Sequence, residues 1–179
     1  HMKSVHAVLI LPPCGKIPAL HLNTAAVQHQ HVINAGIQQI PVMGDKDEAL
    51  FLPQICLALT EAKEQGLKIP VVYNSSGYEE PASLRLLEGL ADIYIPDLKY
   101  CSSQLSARYS QAADYFEKAS AAIAEMVRQT GAPVIDPDTG LMKKGVIVRH
   151  LLLPGHAGDS KKILRYLHDT YGNDIYVSI

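Results

Sequence analysis

Two polar clusters follow two apolar runs in the middle of the chain, and they hold the residues best suited to chemistry. The first cluster is Asn74-Ser75-Ser76-Gly77 and the second is Asp97-Leu98-Lys99. In parallel α/β folds, ligands lie at the carboxyl ends of the strands. Because each cluster follows a run typical of a buried strand, the sequence predicts that both clusters contribute to one ligand site.

Asp97 and Lys99 are the best local pair of charged residues. Two residues apart in an extended chain, they point to the same face. The lysine can bind a carboxylate or a phosphate, while the aspartate can bind a cation, a hydroxyl or the lysine itself. A solvated ion pair at the end of a strand is the structural alternative.

Arg149 and His150 interrupt Val146–Leu153, the most apolar run of the chain. An arginine in a buried strand needs a partner, because an unpaired buried charge is strongly unfavourable. The partner could be a ligand carboxylate, or it could be Asp97 or Asp92 in an internal salt bridge. His150 points to the opposite side of the strand and is compatible with a hydrogen-bonded core histidine.

The remaining polar residues give weaker signals. Asn74 and Ser76 offer an amide and a hydroxyl to a polar small molecule, but such residues also form ordinary turns. We predict no metal ligands among His21, His29 and His31, since no acidic or cysteine partner lies at a zinc spacing. The chain contains no P-loop, GxGxxG, HExxH or GxSxG motif.

The composition indicates one globular domain with a substantial core, because 47% of the 179 residues are hydrophobic and 19% are charged. A net charge of -2 gives no electrostatic reason to expect nucleic acid or an anionic membrane as a partner. Three distant cysteines argue against a disulfide framework and favour a reducing cytoplasm. His1-Met2 resembles an expression-tag remnant.

Hydrophobic periodicity predicts an alternation of strands and helices. The predicted strands are Val5–Leu11, Gln38–Met43, Ile69–Tyr73, Ala91–Ile95, Val146–Leu153 and Ile175–Val177. The predicted helices are Asn23–Asn34, Leu50–Gln65, a helix beginning at Pro81, Ser103–Thr130 in two pieces, and a helix from Asp159 or Ser160 through Tyr171. Residues 1–50 are poorly patterned, whereas residues 51–179 alternate as βαβ units. This alternation predicts an α/β fold with mostly parallel strands and helical cover, either open or curled into a partial barrel.

Four stretches together resemble one protein group: PVVYNSSGYE, ADIYIPDLKY, ARYSQAADYFEKASAAIAEMVRQTG and GVIVRHLLLPG. They resemble the radical S-adenosylmethionine proteins related to pyruvate formate-lyase activating enzyme, and the match covers about residues 51–179. The resemblance implies a partial (β/α) barrel that holds a 4Fe–4S cluster and S-adenosylmethionine at its strand ends. It further implies reductive cleavage of that cofactor to a 5′-deoxyadenosyl radical. The radical would abstract hydrogen from a substrate such as a glycyl residue of a partner enzyme.

The resemblance assigns five cofactor-binding residues and no catalytic residue. Asn74 and Ser76 match the polar end of a barrel strand near the cofactor. Asp97 and Lys99 match the family's D-L-K strand end, where the lysine meets the cofactor carboxylate. Arg149 matches the arginine of an R-x-x-x-x-P-G strand that lies near the same carboxylate.

The chain lacks the cysteine motif with which this family binds its 4Fe–4S cluster. The family holds its iron with C-x3-C-x2-C near the start of the barrel, whereas Cys14 has no cysteine three or seven residues onward and the next is Cys56. We therefore expect no cluster on this chain, and interpret residues before Phe51 as replaced, diverged or frame-shifted.

Three functions remain open. The first is an incomplete activase-like enzyme, and the second is a non-catalytic partial-barrel remnant that binds a small molecule or a partner. The third is an unrelated barrel enzyme that binds a carboxylate or phosphate through Lys99 and Arg149. An incomplete barrel leaves an open sheet edge. We expect this edge either to be covered by strands and helices of the N-terminal segment or to form a homodimer.

Overall fold

The structure, a computed structural model, describes residues 3–10, 37–44 and 48–179. Its strands are β1 (Lys3–Ile10), β2 (Ile37–Gly44), β3 (Val71–Ser75), β4 (Ile93–Pro96), β5 (Val134–Ile135), β6 (Met142–Arg149) and β7 (Tyr176–Ser178). Its helices are α1 (Glu48–Glu64), α2 (Pro81–Leu84), α3 (Ser103–Ser110), α4 (Tyr115–Thr130) and α5 (Ala157–Tyr171), with a 3-10 turn at Arg85–Leu87. The predicted helix Asn23–Asn34, Cys14 and the three N-terminal histidines His21, His29 and His31 lie outside the described residues.

The strands form a mixed sheet in the order β2-β1-β3-β4-β6-β5, and β7 also pairs with β6. The pairs β3–β4, β4–β6 and β6–β7 are parallel, as the βαβ pattern predicts. The pairs β1–β2, β1–β3 and β5–β6 are antiparallel, so the prediction of mostly parallel strands holds for β3, β4, β6 and β7. Strand direction is set by long-range pairing, and the local apolar pattern of β1 does not encode it.

β1 lies on the edge of β3 that an incomplete barrel would leave open. Its residues His6–Leu9 pair with Val71–Asn74, and its other edge pairs with β2. Antiparallel neighbours need no crossover helix between them. The N-terminal segment therefore supplies strands to this edge, which was one of the two expected outcomes.

Two strand boundaries differ from the prediction in ways that matter for the site. β3 runs from Val71 through Ser75, so Asn74 and Ser75 belong to the strand and not to a turn. β6 begins at Met142 and ends at Arg149, so Leu151 and Leu152 lie outside it and are exposed. The apolar run continues past Arg149, but the ladder of strand pairs does not.

The core lies between one face of the sheet and the helices. On α4, spacings of three and four residues bury one stripe, formed by Tyr115, Ala119, Ala122, Ile123 and Met126. Val146 and Val148 of β6 belong to the same core. Because side chains alternate along a strand, Arg149 emerges on the opposite face. No helix among the residues that the structure describes is long and apolar enough to cross a membrane.

Candidate anion-binding site

Backbone pairing brings the carboxyl ends of β4 and β6 together. Asp97 directly follows β4, and it forms a parallel bridge with Arg149, the last residue of β6. The Leu98 amide donates a hydrogen bond to the Arg149 carbonyl oxygen over 2.8 Å. Adjacent parallel strands end at the same edge of a sheet. The predicted meeting of these two strand ends is therefore present in the fold.

The Asp97 carboxylate contacts both cations of the predicted site. Arg149 places Nε 2.8 Å and Nη2 2.7 Å from Oδ1 of Asp97. Lys99 places Nζ 3.1 Å from Oδ2 of the same carboxylate. The internal salt bridges considered as the structural alternative therefore exist. Two cations and one anion give these three side chains a formal charge of +1.

A cleft of about 390 Å³ opens beside this cluster, and it is charged at one end and apolar at the other. The apolar end includes Leu151, whose residue surface is 51% exposed, and Ile179. An anionic group attached to an apolar body fits such a cleft. The lining residues are Asp97, Lys99, Arg149, His150, Leu151, Ser178 and Ile179.

The other two predicted site residues lie at the neighbouring strand end and do not line this cleft. Asn74 pairs with Ile95 of β4. The Asn74 Oδ1 atom is buried and has no hydrogen-bond partner in the described part of the chain. Ser76 is buried as well. The structure thus brings Asp97, Lys99 and Arg149 together, with Asn74 and Ser76 beside them at the end of β3.

Gly77 allows the ends of β3 and β4 to approach each other. Its φ of +77° lies in the left-handed region, and a Cβ at this position would lie 2.2 Å from the Asp97 carbonyl oxygen. Real Cβ atoms do not approach an oxygen this closely, so a side chain here would push Asp97 away. The Gly77 amide also donates to Ser75 Oγ over 3.1 Å.

Tyr115 is a site residue that the sequence reasoning missed. Its hydroxyl lies 2.9 Å from the carbonyl oxygens of both Ser76 and Asp97. It also accepts a hydrogen bond from the Lys99 amide over 3.3 Å. Its place on the buried stripe of α4 predicts that the ring is in the core, but no local signal indicates which atoms its hydroxyl contacts.

His150 is a buried histidine, consistent with the core role that its position in the sequence allowed, and it is 5% exposed. Its Nδ1 lies 2.8 Å from the Leu98 carbonyl oxygen. Since a carbonyl can only accept, Nδ1 carries the proton and Nε2 carries the lone pair in the neutral ring. Nε2 is buried and has no partner among residues 48–179.

Glu79 is a buried carboxyl close to the end of β3. The Tyr73 hydroxyl donates to Oε2 of Glu79 over 2.9 Å. Burial raises the pKa of Glu79, and hydrogen bonds from Ser75 and Tyr73 oppose that rise without cancelling it.

The described residues do not offer a set of ligands for an iron–sulfur cluster. Within them, no three His, Cys, Asp or Glu side chains are grouped to hold a metal ion. Cys56 donates its thiol proton to the Leu86 carbonyl oxygen over 3.2 Å. Burial raises the pKa of the Cys56 and Cys101 thiols, which disfavours the thiolate that iron requires.

Comparison with known proteins gives one partial relative. A protein of Methanocaldococcus jannaschii described as uncharacterized is 30% identical to this chain over 88 residues. These residues make up 49% of this chain and 22% of that protein, so the match spans about a fifth of the relative's length. No family model matches the chain, and no solved structure matches it significantly.

Proposed function

We propose that this chain is a radical S-adenosylmethionine-like protein that binds the cofactor carboxylate at the Asp97–Lys99–Arg149 cluster. The observation that carries the proposal is the net positive cluster at adjacent strand ends, beside a cleft with an apolar end. The partial barrel is part of the same proposal. So is a glycyl-radical enzyme, or another protein substrate, as the partner of a complete activating enzyme.

Binding of a carboxylate would use the two cations without removing Asp97. Arg149 contacts Asp97 through Nε and Nη2, and its side chain is 44% exposed. Its guanidinium therefore has a further N–H group for a second anion. Lys99 has three donors, of which Asp97 uses one. S-adenosylmethionine, when reduced by an iron–sulfur cluster, supplies a carbon radical. The charged residues of this site suit the binding of its carboxylate, whereas the described residues do not suit the binding of an iron–sulfur cluster.

A second candidate is an enzyme or binding protein for another carboxylate or phosphate. It is favoured by the charge of the cluster, because a net charge of +1 selects an anion without selecting an adenosine. A non-catalytic remnant is the third candidate, favoured by the double salt bridge of Asp97, which gives the cluster a structural role.

Titration calorimetry at low ionic strength separates these candidates through the ligand. S-adenosylmethionine should bind saturably, and 5′-methylthioadenosine, which lacks the carboxylate, should bind about tenfold or more weakly, since a charge-assisted hydrogen bond contributes about 1.5–3 kcal/mol. Equal affinity for the two nucleosides would contradict carboxylate recognition. Binding of phosphate or acetate without either nucleoside would favour the second candidate, and no binding of any probe would favour the third.

Anaerobic incubation with iron and sulfide tests whether the chain can bind a 4Fe–4S cluster. We expect no stoichiometric 4Fe–4S absorption in the visible region, because the donor set among the described residues does not fit one. A stoichiometric cluster with cleavage of S-adenosylmethionine would show that the chain is a competent enzyme.

A further inference from the structure

The Tyr115 hydroxyl joins the two strand ends that form the anion site. It lies within hydrogen-bond distance of the Ser76 carbonyl at the end of β3 and of the Asp97 carbonyl at the end of β4. It also accepts the Lys99 amide proton. A phenol has one proton to donate and lone pairs to accept, so one hydroxyl can serve carbonyl and amide groups together.

The Tyr115 ring is held in place on both sides. It stacks on Tyr78 with ring centroids 6.1 Å apart and planes 5° from parallel. Tyr100 meets it edge-on at 5.4 Å. Tyr115 is 2% exposed, and burial raises its pKa, which keeps the hydroxyl protonated. The hydroxyl therefore occupies one position relative to the backbone around it.

We propose that Tyr115 is a positioning residue that fixes the Asp97 and Lys99 backbone, so that the Asp97 carboxylate holds both cations at the cleft. The geometry of the ion cluster follows from this backbone, because Asp97 and Lys99 lie two residues apart and both contact the Tyr115 hydroxyl. Without the hydroxyl, the Ser76 and Asp97 carbonyls lose the one proton that they share, and the Lys99 amide loses its acceptor. The segment 97–99 then relaxes, and Asp97 moves relative to Arg149.

The Arg149 side-chain signal in NMR spectra reports this geometry without any ligand. Its Nε–H group donates to Asp97 Oδ1 over 2.8 Å, so it should exchange slowly with water in the wild type. The variant Arg149→Lys assigns the signal by removing it. In Tyr115→Phe we expect the Nε–H proton to exchange about tenfold faster, as for the loss of one hydrogen-bonded constraint.

Tyr100→Phe is the matched control. Tyr100 is also buried, packs against Tyr115 and uses its hydroxyl to accept a hydrogen bond from Ser110 Oγ over 3.1 Å. This variant should keep the slow exchange of the wild type. The proposal would be overturned if the Arg149 Nε–H proton exchanged as slowly in Tyr115→Phe as in the wild type. It would also be overturned if the exchange became equally fast in Tyr115→Phe and in Tyr100→Phe.

A second variant covers the case in which Tyr115→Phe does not fold, as judged by circular dichroism. Para-aminophenylalanine at position 115 keeps a donor for the two carbonyl oxygens. We expect this variant to retain the slow exchange of the Arg149 Nε–H proton. Fast exchange of that proton in a folded variant would also overturn the proposal. Because the signal is read in the free protein, this inference stands or falls separately from the binding of S-adenosylmethionine.

Discussion

Burial raises the pKa of Glu79, and this sets the direction of the pH dependence that this one carboxyl contributes to stability. For a group whose pKa is raised on folding, the stabilising contribution is present below the unfolded value, about 4.5 here, and is lost as pH rises through the folded value. Glu79→Gln mimics the protonated carboxyl and keeps an acceptor for the Tyr73 hydroxyl. It should melt higher than the wild type at pH 8, by roughly 2–4 °C for each kcal/mol that burial of the charge costs.

Thermal melting at two pH values checks this prediction. The gain in Glu79→Gln should shrink as the pH is lowered below 4.5, where the wild-type carboxyl is itself protonated. Glu64→Gln, at an exposed position of α1, should leave the melting temperature unchanged at both pH values. A Glu79→Gln variant that is less stable than the wild type at pH 8 would show that the charged carboxylate stabilises the fold.

At the residue scale, the sequence indicates which charged residues form the site, but it does not indicate which uncharged residue contacts their backbone. Asp97, Lys99 and Arg149 were identifiable because charged residues at the ends of apolar strands require a partner, and the fold brings all three together. Tyr115 was not identifiable as a site residue. Its three hydrogen-bonded groups belong to the backbone of residues 16 to 39 positions away, and no local spacing encodes such contacts.

At the scale of the elements, the close approach of the ends of β3 and β4 depends on Gly77. Gly77 and Gly89 have almost the same φ, +77° and +76°, but a Cβ at Gly89 would meet nothing within 4 Å. Gly89→Ala should therefore cost about 1–2 kcal/mol of unfolding free energy, from the left-handed backbone alone. Gly77→Ala should cost about 1–3 kcal/mol more, because it also forces the Asp97 carbonyl away.

Urea unfolding of the two variants measures this difference directly. Both changes add the same methyl group at a left-handed φ, so the comparison reduces the contribution of the backbone strain to the difference. Equal loss of stability in both variants would contradict a tight contact between the loop after β3 and Asp97.

Element boundaries were less predictable than element order. The apolar run through Leu153 suggested a strand that ends there, whereas β6 ends at Arg149, where the Leu98 amide binds its carbonyl oxygen. An apolar run therefore does not mark the last paired residue, and here it does not mark burial either, since Leu151 and Leu152 are exposed. This difference matters for function, because it frees Leu151 to line the cleft.

For the whole molecule, the homodimer was expected at the edge of β3 that β1 covers, and it remains a prediction. The edge of the sheet at β7 is a different place at which two copies of the chain could pair. In the described part of the chain β7 pairs with β6 alone, and its residue Val177 is 41% exposed. An exposed strand edge with apolar side chains favours pairing with another chain. We expect the wild type to associate with rising concentration in sedimentation velocity, and Val177→Lys to remain monomeric.

Leu57→Lys is the control for this measurement, since Leu57 is more exposed than Val177 but lies on a helix, α1. It should associate as the wild type does. A wild type that is monomeric at every concentration would remove the dimer from the proposal.

The most direct test of cofactor binding at the cluster is the affinity of S-adenosylmethionine for matched lysine variants. Lys99 pairs with Asp97 over 3.1 Å, and Lys143 pairs with Asp136 over 3.2 Å, so the two changes remove similar ion pairs at different places. In titration calorimetry we predict that Lys99→Met weakens binding about tenfold or more, while Lys143→Met binds as the wild type does. Equal affinity in all three proteins, or no saturable binding to the wild type, would contradict the proposed function.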